Sequence, residues 1–367
     1  MKIGITFGGF IPLHQGHMDL IMRAKKENDL AVIVVCGYDH EERGDSCDLP
    51  LIKRFRIVHN YLADDITKVV MVNDTDYGLD ESMSPSNWTI WSRAVYDKIA
   101  EAYGKLPEAE YVWYMSEPLY KASLDNYSYG KYLGIKESVI LLDRTENPIS
   151  GTACRKEPLK NWNKIMPPFR AYFSHNILIA GTASEGKTTL VKDIGKYFAL
   201  PYSYEKGRDI CALKTDPEFT VKDFIYNIYE QHKYNEELIC SPQNPGVFIS
   251  DTDNMVTLMY AKAYAERKHF ELTENDYSTL ERLASAYDKT TTWGKIFLLA
   301  PKPKAIVDDG ERYMPDSDYE IRKNFFEHLK SLYDERGYKY EILTGNYYEN
   351  FCRVRDYIRG LYEGGNN

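Results

Sequence analysis

Short apolar runs, rich in β-branched and aromatic residues, alternate with longer amphipathic stretches along the first half of the chain. Five of these runs precede residue 145: KIGITF, LAVIVVCG, KVVMVN, EYVWYM and ESVILL. Their length and composition are typical of strands buried on both faces of a parallel sheet. The stretches between them, such as LPLIKRFRIVHNYLA and NWTIWSRAVYDKIAEAY, have helical patterns. This alternation predicts a doubly wound α/β domain.

The alternation stops between Glu157 and Phe173, in the segment EPLKNWNKIMPPFRAYF. This segment contains three prolines and has no clear period, so we interpret it as a linker. A second series of apolar runs follows it: HNILIAG, GVFISDTD, GKIFLLA and KYEIL. The sequence therefore predicts two doubly wound parallel-sheet α/β domains, at residues 1–165 and 166–367.

The composition excludes several classes of protein. With 367 residues, of which 43% are hydrophobic, each half can bury its own core. The net charge of −9 argues against duplex nucleic acid as the main partner, because phosphates require a basic surface. The first residues turn polar too early for a signal peptide, and no stretch approaches the roughly 18 apolar residues of a membrane span. Six scattered cysteines without a C-x-x-C pair fit a reducing compartment, so we expect a cytoplasmic protein.

The second series opens with a phosphate-binding loop. GTASEGKT satisfies the pattern G-x-x-x-x-G-K-[ST], with Gly181, Gly186, Lys187 and Thr188 in the required places. Glycines let backbone N–H groups turn toward phosphate oxygens, and the following helix directs its positive end at them. Lys187 supplies charge for the β- and γ-phosphates of ATP, and Thr188 offers a hydroxyl to Mg²⁺. We expect the loop and helix start to contact ATP also through Ser184, Glu185 and Thr189.

Two carboxylates follow the apolar run GVFIS. Asp251 ends the predicted strand, and a carboxylate beside a phosphate loop suits a Mg²⁺ site. Asp253, two residues later, could orient or deprotonate an attacking hydroxyl group. Alternatively, Asp253 caps the next helix.

Two further segments of the second half carry candidate catalytic residues. In YSYEKGRDI, Glu205 and Arg208 could grip a ribose or accept its proton, or they could form a surface salt bridge. The acidic, glycine-containing segment VDDGERYMPDSDYEIRKNFF predicts a lid, with Arg312 meeting the charge of the transferred phosphoryl group.

The first strand leads into a loop of a different design, GGFIPLHQGH. Its H-x-G-H core resembles that of the nucleotidylyltransferases, which attack the α-phosphate of ATP and expel pyrophosphate. His14 and His17 are three residues apart, so both imidazoles can stabilise charge on one phosphate group. Gly16 lets the backbone approach that phosphate closely. We expect ATP contacts also from Gly8, Gly9 and Phe10.

A second motif supports adenylyl transfer. ISGTACRK, which begins at Ile149, resembles the I-S-x-T-x-x-R signature of the same superfamily. Ser150 and Thr152 can offer hydroxyl or backbone donors to ATP at a helix start. Arg155 can bring positive charge to the leaving phosphates. Because the two motifs lie far apart in the chain, they are independent matches.

With both halves in view, the chain resembles the NadR family, in which a nicotinamide mononucleotide adenylyltransferase is fused to a ribosylnicotinamide kinase. The resemblance extends to SNWTIWSRAV, SEP, YLG, DRT, YEKGR, DTD and VDDGER. It implies a Rossmann-like nucleotidylyltransferase domain at residues 1–165 and a P-loop kinase domain at residues 166–367. Some family members carry an N-terminal helix-turn-helix repressor segment. Here the first strand starts at Lys2, so we expect no DNA-binding segment.

The resemblance also implies ligands and their sites. Trp88 corresponds to an aromatic platform for the nicotinamide ring, although Trp88 or Trp91 could instead be a core residue at helical spacing. Arg208 and Tyr204 are expected to bind ribosylnicotinamide; Tyr204 stands where a tryptophan is familiar. ATP is the implied co-substrate of both domains with Mg²⁺ as cofactor. Nicotinamide mononucleotide and NAD are the implied products, and a homo-oligomer is expected.

Two other functions are alternatives. A fusion of phosphopantetheine adenylyltransferase with dephospho-CoA kinase would combine the same fold types, but NWTIW and YEKGR favour the nicotinamide interpretation. A nucleotide-sensing regulator with a degraded adenylyltransferase domain would be expected to lose Lys187 or the two histidines. All three residues are present.

Overall fold

The computed structural model describes residues 1–80, 82, 84–143, 148–211, 219–266, 270–303 and 319–364. The chain divides into two compact units, Met1–Phe173 and Ser174–Asn367. Each unit contains a five-stranded sheet in which the paired strands are parallel. The predicted fold class, two parallel-sheet α/β domains, is therefore confirmed.

Unit 1 has the strand order β3-β2-β1-β4-β5. Its strands are β1 Lys2–Gly8, β2 Leu30–Gly37, β3 Thr67–Asn73, β4 Glu110–Met115 and β5 Glu137–Leu141. Its helices are α1 Gln15–Glu27, α2 Glu42–Asp45, α3 Leu51–Leu62, α4 Pro85–Tyr103, α5 Pro118–Tyr127, α6 Gly151–Lys156 and α7 Pro167–Arg170. The order reverses between β1 and β4, and ligands of open α/β sheets bind outside the carboxyl ends of strands at such a point.

Strand β2 shows why the strands of unit 1 are continuous apolar runs. Val32 and Val34 pack in the cluster that includes residues of α4, whereas Ile33 and Val35 pack in the cluster that includes residues of α3. Successive side chains of a strand point to opposite faces, so a sheet covered on both faces requires apolar residues at every position.

The segment 157–173 is part of unit 1, so the prediction of a linker is wrong. Trp162, Ile165, Phe169 and Phe173 are buried in the same cluster as the α3 residues. The segment folds into short helical turns, including α7, and proline occupies the first helical position of α7. The unit boundary accordingly follows Phe173 rather than residue 165.

Unit 2 has the strand order β10-β9-β6-β8-β7. Its strands are β6 His175–Gly181, β7 Tyr202–Ser203, β8 Val247–Ser250, β9 Lys295–Leu299 and β10 Tyr340–Leu343. Its helices are α8 Lys187–Phe198, α9 Gly207–Cys211, α10 Val221–Ile239, α11 Asn254–Glu266, α12 Glu274–Asp288, α13 Tyr319–Glu335 and α14 Tyr347–Glu363. Within the described ranges, we find no helix with the length and apolar character needed to cross a membrane.

Candidate active sites

The loop between β1 and α1 brings the two predicted histidines together. His14 is the N-cap of α1, and His17 lies in the first turn of that helix. Their rings are stacked, with centroids 3.8 Å apart and an interplanar angle of 21°. A Cβ atom at Gly16 would lie 3.2 Å from the side chain of Ile149 and 3.4 Å from the His14 ring. The absence of a side chain at Gly16 therefore leaves space for the His14 ring beside Ile149.

Phe10 positions His17 rather than offering its ring to a ligand. The Phe10 backbone is left-handed, with φ of +48°. Its buried ring packs edge-on against His17 at a centroid distance of 4.9 Å. A Cβ atom at Gly8 would lie 3.3 Å from the Phe10 ring, so Gly8 accommodates that ring. Because the Phe10 ring is packed against His17, the backbone of Phe10 is the group that could contact ATP.

Arg54, which the sequence analysis did not select, supports the same loop. The fully buried side chain donates hydrogen bonds to the Gly9 carbonyl and, at 2.8 Å, to the carboxylate of Glu41. A Cβ atom at Gly9 would lie 3.3 Å from the Arg54 guanidinium, and one at Gly37 would lie 3.0 Å from Glu41. Gly9 and Gly37 therefore make room for a buried ion pair.

A sequence signal for Arg54 does exist. Leu51, Arg54, Val58 and Leu62 are the buried residues of α3, and their spacing of three and four residues is that of an apolar helix face. A charged residue on such a face requires a buried partner. The partner, Glu41, could not be identified before folding.

The second nucleotidylyltransferase motif lies against the first. Ser150 caps α6 by accepting a hydrogen bond from the Ala153 N–H group at 3.1 Å. The Arg155 guanidinium donates to the Ile11 carbonyl at 2.6 Å and to the Thr152 hydroxyl at 3.2 Å. Arg155 is thus placed beside the GGFIPLHQGH loop. Its predicted contact with the leaving phosphates stays a prediction.

Asp74 adds negative charge near the carboxyl ends of β2 and β3. Burial, and then the neighbouring Glu41 carboxylate, raise the pKa of Asp74 to about 7, while Arg54 opposes the shift. Asp74 Oδ1 is buried and has no hydrogen-bond partner within the described part of the chain. The buried acids of this region therefore depend on Arg54 for compensation.

Trp88 is 7% exposed and belongs to an aromatic cluster on α4. Its ring lies 6.4 Å from Phe7, 5.6 Å from Trp91 and 5.4 Å from Tyr120, measured between centroids. These contacts support the core alternative for most of the Trp88 surface. Phe7 lies near the carboxyl end of β1, the edge at which ligands of such sheets bind. A platform role of Trp88 for nicotinamide is compatible with this position and stays a prediction.

The phosphate loop of unit 2 has the backbone conformation, with positive φ angles, that its glycines predict. Gly181 has a φ of +140°, and a Cβ atom there would lie 2.7 Å from the Leu299 carbonyl oxygen. Ser184 and Gly186 also have positive φ values, of +62° and +90°. Helix α8 begins directly after Gly186, and no side chain caps it. Its first N–H groups can therefore bind an anion.

The predicted metal and phosphate residues meet at this loop. The buried Lys187 ammonium donates to the Thr182 carbonyl at 2.8 Å. The Thr188 hydroxyl donates to Asp251 Oδ2 at 2.6 Å and accepts from Arg208 at 2.8 Å. Because β8 pairs with β6, Asp251 follows the strand next to the loop. Thr189, the next residue of α8, is exposed.

Asp251 has the environment of a metal ligand. Burial, and then the neighbouring Glu205, raise its pKa to about 6, whereas the Thr188 hydroxyl, Lys187 and Arg208 act in the opposite direction. Asp251 Oδ1 is buried and has no hydrogen-bond partner within the described ranges. An unused carboxylate oxygen beside a hydroxyl group fits Mg²⁺, which prefers hard oxygen ligands.

The described residues contain no group of three or more His, Cys, Asp or Glu side chains able to hold a metal. A Mg²⁺ ion at Thr188 and Asp251 would therefore take most of its ligands from phosphate and water, as is common for this metal.

Glu205 and Arg208 form a pair at the site. Their carboxylate and guanidinium groups are 3.9 Å apart, and their side chains are only 16% and 24% exposed. Arg208 also contacts Thr188, as described above. These contacts favour a role at the phosphate loop over a surface salt bridge.

Asp253 has the capping role that the sequence left as an alternative. Its Oδ1 accepts from the Val256 N–H group at 2.9 Å at the start of α11, and its Oδ2 accepts from the Tyr333 hydroxyl at 2.7 Å. The side chain is buried, and burial raises its pKa to about 6 despite these hydrogen bonds. Both oxygens are therefore engaged by residues of α11 and α13, which favours Glu205 over Asp253 as the candidate base.

The Glu185 carboxylate is likewise engaged by other residues of unit 2. It forms an ion pair with Arg322 in which both side chains are 1% exposed. The Glu185 carboxylate also accepts from the Lys302 N–H group at 3.3 Å. Glu185 could thus contact ATP only through its backbone. Arg312 lies outside the described residues.

A cavity of about 430 Å³ adjoins the phosphate loop. Tyr204 and Arg208, which were expected to bind ribosylnicotinamide, both line it. The other lining residues are Thr188, Val191, Lys192, Tyr202, Ser203 and Asp209. A cavity of this volume is within the range of small-molecule sites.

Each unit matches a known protein family. Residues 5–157 match the cytidylyltransferase-like family, and residues 176–350 match the AAA domain family. The chain is 28% identical over 284 residues to the trifunctional NAD biosynthesis/regulator protein NadR of Salmonella typhimurium. It is also 28% identical over 279 residues to the protein of that name from Escherichia coli. Each alignment covers 73% of this chain and 64% of the relative.

Solved structures agree over nearly the whole chain. A crystal structure of NadR protein in complex with NAD and AMP-PNP has a TM-score of 0.82 and 28% identity, and the match covers 99% of this chain and 96% of that one. A NadR structure in complex with NR has a TM-score of 0.82 and 29% identity, covering 98% of this chain and 96% of that one. The resemblance to the NadR family is confirmed. Unit 1 has the nucleotidylyltransferase fold and unit 2 the P-loop fold, as that resemblance implies.

Proposed function

We propose that this chain makes NAD from ribosylnicotinamide in two ATP-dependent steps. Unit 2 phosphorylates ribosylnicotinamide to nicotinamide mononucleotide, and unit 1 adenylylates the mononucleotide to NAD with release of pyrophosphate. The observation that carries the proposal is the presence of two assembled phosphate loops of different design in one chain that is similar to NadR over both units. The NAD, AMP-PNP and NR bound in the NadR structures support these ligands.

In unit 2, we propose that the 5'-hydroxyl group of ribosylnicotinamide attacks the γ-phosphate of ATP, so that a bond forms between the hydroxyl oxygen and the γ-phosphorus while the bond to the β–γ bridging oxygen breaks and ADP leaves. Lys187 leaves the Thr182 carbonyl and binds the phosphates, and Glu205 accepts the hydroxyl proton. Arg208 holds Glu205 and the ribose. Thr188 and Asp251 would hold Mg²⁺, which would offset the negative charge of the phosphates.

In unit 1, the 5'-phosphate of the mononucleotide attacks the α-phosphate of a second ATP molecule. This nucleophile is ionised near neutral pH, so the step requires no general base. His14 and His17, stacked at the start of α1, stabilise the charge that develops on the α-phosphate. Arg155 stabilises the departing pyrophosphate.

Incubation of the protein with ATP, Mg²⁺ and ribosylnicotinamide tests the proposal, with the products separated by chromatography. Nicotinamide mononucleotide should appear first, followed by NAD and pyrophosphate. Turnover of phosphopantetheine and dephospho-CoA instead would indicate the alternative fusion. Binding of ATP and ribosylnicotinamide without product would indicate a sensor and contradict the proposal. A cytoplasmic location and a homo-oligomer stay predictions.

A further inference from the structure

Glu205, the candidate base, lies just beyond the end of an edge strand. Strand β7 consists of Tyr202 and Ser203, and it pairs with β8 at the edge of the sheet. A backbone hydrogen bond of 3.3 Å joins the Asp251 N–H group to the Ser203 carbonyl. Strand pairing therefore fixes the chain relative to Asp251 as far as Ser203. The peptide groups around Glu205 need other hydrogen-bond partners.

The side-chain amide of Gln231 supplies these partners. Its Oε1 accepts from the Lys206 N–H group at 2.8 Å, and its Nε2 donates to the Tyr204 carbonyl at 3.3 Å. These two backbone groups belong to the residues on either side of Glu205. One side chain therefore binds the backbone before and after the candidate base, as a residue of a neighbouring parallel strand would.

Gln231 is itself held in one orientation. The residue is 1% exposed, and its Nε2 also donates to Oδ1 of Asn235 at 3.1 Å. Asn235 lies one turn further along α10 and is buried as well. The amide oxygen thus faces an N–H group, and the amide nitrogen faces two oxygens. Reversal of the amide would lose all three hydrogen bonds, so Gln231 is a fixed support for the segment that carries Glu205.

Helix α10 also lies close to the turn that follows Glu205. The Arg208 N–H group donates to the Glu205 carbonyl at 3.3 Å, and α9 begins at Gly207. A Cβ atom at Gly207 would lie 3.1 Å from the amide nitrogen of Asn227. Asn227, Gln231 and Asn235 are four residues apart along α10, so they lie on one face of the helix. That face contacts the backbone around the candidate base.

We propose that Gln231 is a positioning residue for the kinase reaction. It holds the backbone on both sides of Glu205, so that the carboxylate is in place to accept the proton of the attacking 5'-hydroxyl group. This inference rests on the proposed function, in which Glu205 accepts that proton. The predicted phosphate residues Lys187 and Thr188 have other contacts. Loss of Gln231 should therefore slow phosphoryl transfer without weakening the binding of ATP.

Steady-state kinetics of full-length Gln231→Met test the first consequence. Methionine retains the length of the side chain and removes its hydrogen bonds. The kcat for phosphorylation of ribosylnicotinamide, measured as the sum of mononucleotide and NAD formed, should fall about tenfold. The KM for ATP should stay within about twofold of wild type. Adenylyl transfer from added mononucleotide should also be unchanged, because unit 1 is not altered.

A double-mutant cycle tests the second consequence, which a merely structural role would not produce. In the wild-type background, Glu205→Gln should lower kcat by about 10²-fold, as expected for loss of a general base. In the Gln231→Met background, the same change should lower kcat by only about tenfold further. A displaced carboxylate contributes little, so the double variant should be about as slow as Glu205→Gln alone.

His232→Leu is the matched control, because it removes a buried polar side chain from the next position of the same helix. The His232 ring stacks on Tyr287 of α12, with centroids 4.0 Å apart. This variant should change kcat by less than about twofold, and its effect should multiply with that of Glu205→Gln. Asn235→Ala removes the group that orients Gln231. It should lower kcat about threefold, and it repeats the test should Gln231→Met fail to fold.

An unchanged kcat in Gln231→Met and Asn235→Ala would overturn the proposal. Losses that simply multiply with that of Glu205→Gln would also overturn it, because Gln231 would then support unit 2 without positioning the base. A full rate in Glu205→Gln would overturn both the assignment of the base and this inference, but not the kinase function. A wild-type protein that fails to phosphorylate ribosylnicotinamide would contradict the proposed function itself.

Discussion

The two phosphate loops are shaped by different means. In unit 1, two arginines from elsewhere in the chain, Arg54 and Arg155, hold the carbonyls of Gly9 and Ile11. In unit 2, the backbone of the loop is shaped by its own residues: glycine conformations set the turn, and Lys187 donates to a carbonyl of the same loop. Its long-range ion pair, between Glu185 and Arg322, holds a side chain and not a backbone carbonyl. The backbone of the first loop therefore depends on long-range contacts, and that of the second is mostly a local structure.

The loops also differ in the groups that they present to phosphate. The first ends in two stacked imidazoles. The second combines a lysine, a helix N-terminus, and a buried aspartate with an unused oxygen. This difference matches the two bonds that the proposed reactions break, at the α-phosphate in unit 1 and at the γ-phosphate in unit 2.

The largest expected effect is that of Lys187→Ala, which should separate the two loops. Kinase activity should fall by about 10³-fold or more, because the charge at the phosphates is removed from a preorganised site. Adenylyl transfer from added mononucleotide should stay within about twofold of wild type, because no residue of unit 1 changes. Both rates are measured by product chromatography. Lys196→Ala, an exposed change on the same helix, is the control, and loss of both activities in Lys187→Ala would contradict independent sites.

His17→Ala should produce the reverse pattern with a smaller effect. Adenylyl transfer should fall by about 10²-fold, because one charge-stabilising group is lost from the transition state. Kinase activity should not change. The same pair of assays checks the result, with the exposed His59→Ala as the control. A variant that retained the full adenylyltransferase rate would show that His17 has no such role.

Arg54→Met tests whether long-range contacts shape the first loop. Removal of the guanidinium leaves the buried Glu41 with only the exposed Arg43 as an ion-pair partner, so the free energy of unfolding of unit 1 should fall by about 3 kcal/mol. The rate of adenylyl transfer should also fall about tenfold when it is measured below the melting temperature of the variant, because the Gly9 carbonyl loses its hydrogen bond. Calorimetry and initial rates measure these effects.

Arg43→Met is the matched control for Arg54, because Arg43 contacts the same Glu41 carboxylate from an exposed position. Its cost should be less than about 1 kcal/mol, as for other exposed ion pairs. Equal effects of the two variants would contradict a special role for Arg54.

The last expected effect concerns the stability of unit 2 and not a reaction rate. The pKa of Asp251 is about 6 in the folded state, above the ordinary value of 3.8, so the folded protein holds this proton more tightly than the unfolded chain. Its contribution to the free energy of unfolding should therefore decline as the pH rises from about 4 to 6, by about 3 kcal/mol. Asp251→Asn should remove this decline. Hydrogen exchange of β6 and β8 at pH 4 and pH 8 measures it, and parallel pH profiles for the two proteins would contradict the assignment.

The difference between the loops explains how much could be predicted from sequence. Strand β6 coincides with the run HNILIAG, and helix α8 begins at the lysine of the motif, because local composition and glycine spacing determine both. The two histidines could be predicted for the same reason. By contrast, Arg54 depends on Glu41, a partner on another element, and no local pattern names that partner.

The same reasoning applies to Asp253 and to the segment 157–173. Two carboxylates that follow a strand end are equivalent in sequence, and the Tyr333 hydroxyl that engages Asp253 comes from a distant helix. In the segment, prolines and short turns hide the helical period, whereas burial of Trp162 and Phe169 in unit 1 is decided by tertiary contacts. Local signals therefore predicted elements and motifs, and tertiary contacts decided which polar groups are engaged by other side chains.

The central claim is that the phosphate installed at the second loop becomes the nucleophile at the first. A mixture of equal amounts of Lys187→Ala and His17→Ala proteins with ATP, Mg²⁺ and ribosylnicotinamide tests it most directly. Neither variant alone should form NAD at more than a small fraction of the wild-type rate. The mixture should form NAD after a lag during which nicotinamide mononucleotide accumulates, because each protein supplies the step that the other lacks. Accumulation of the mononucleotide without NAD, or no mononucleotide at all, would contradict the account.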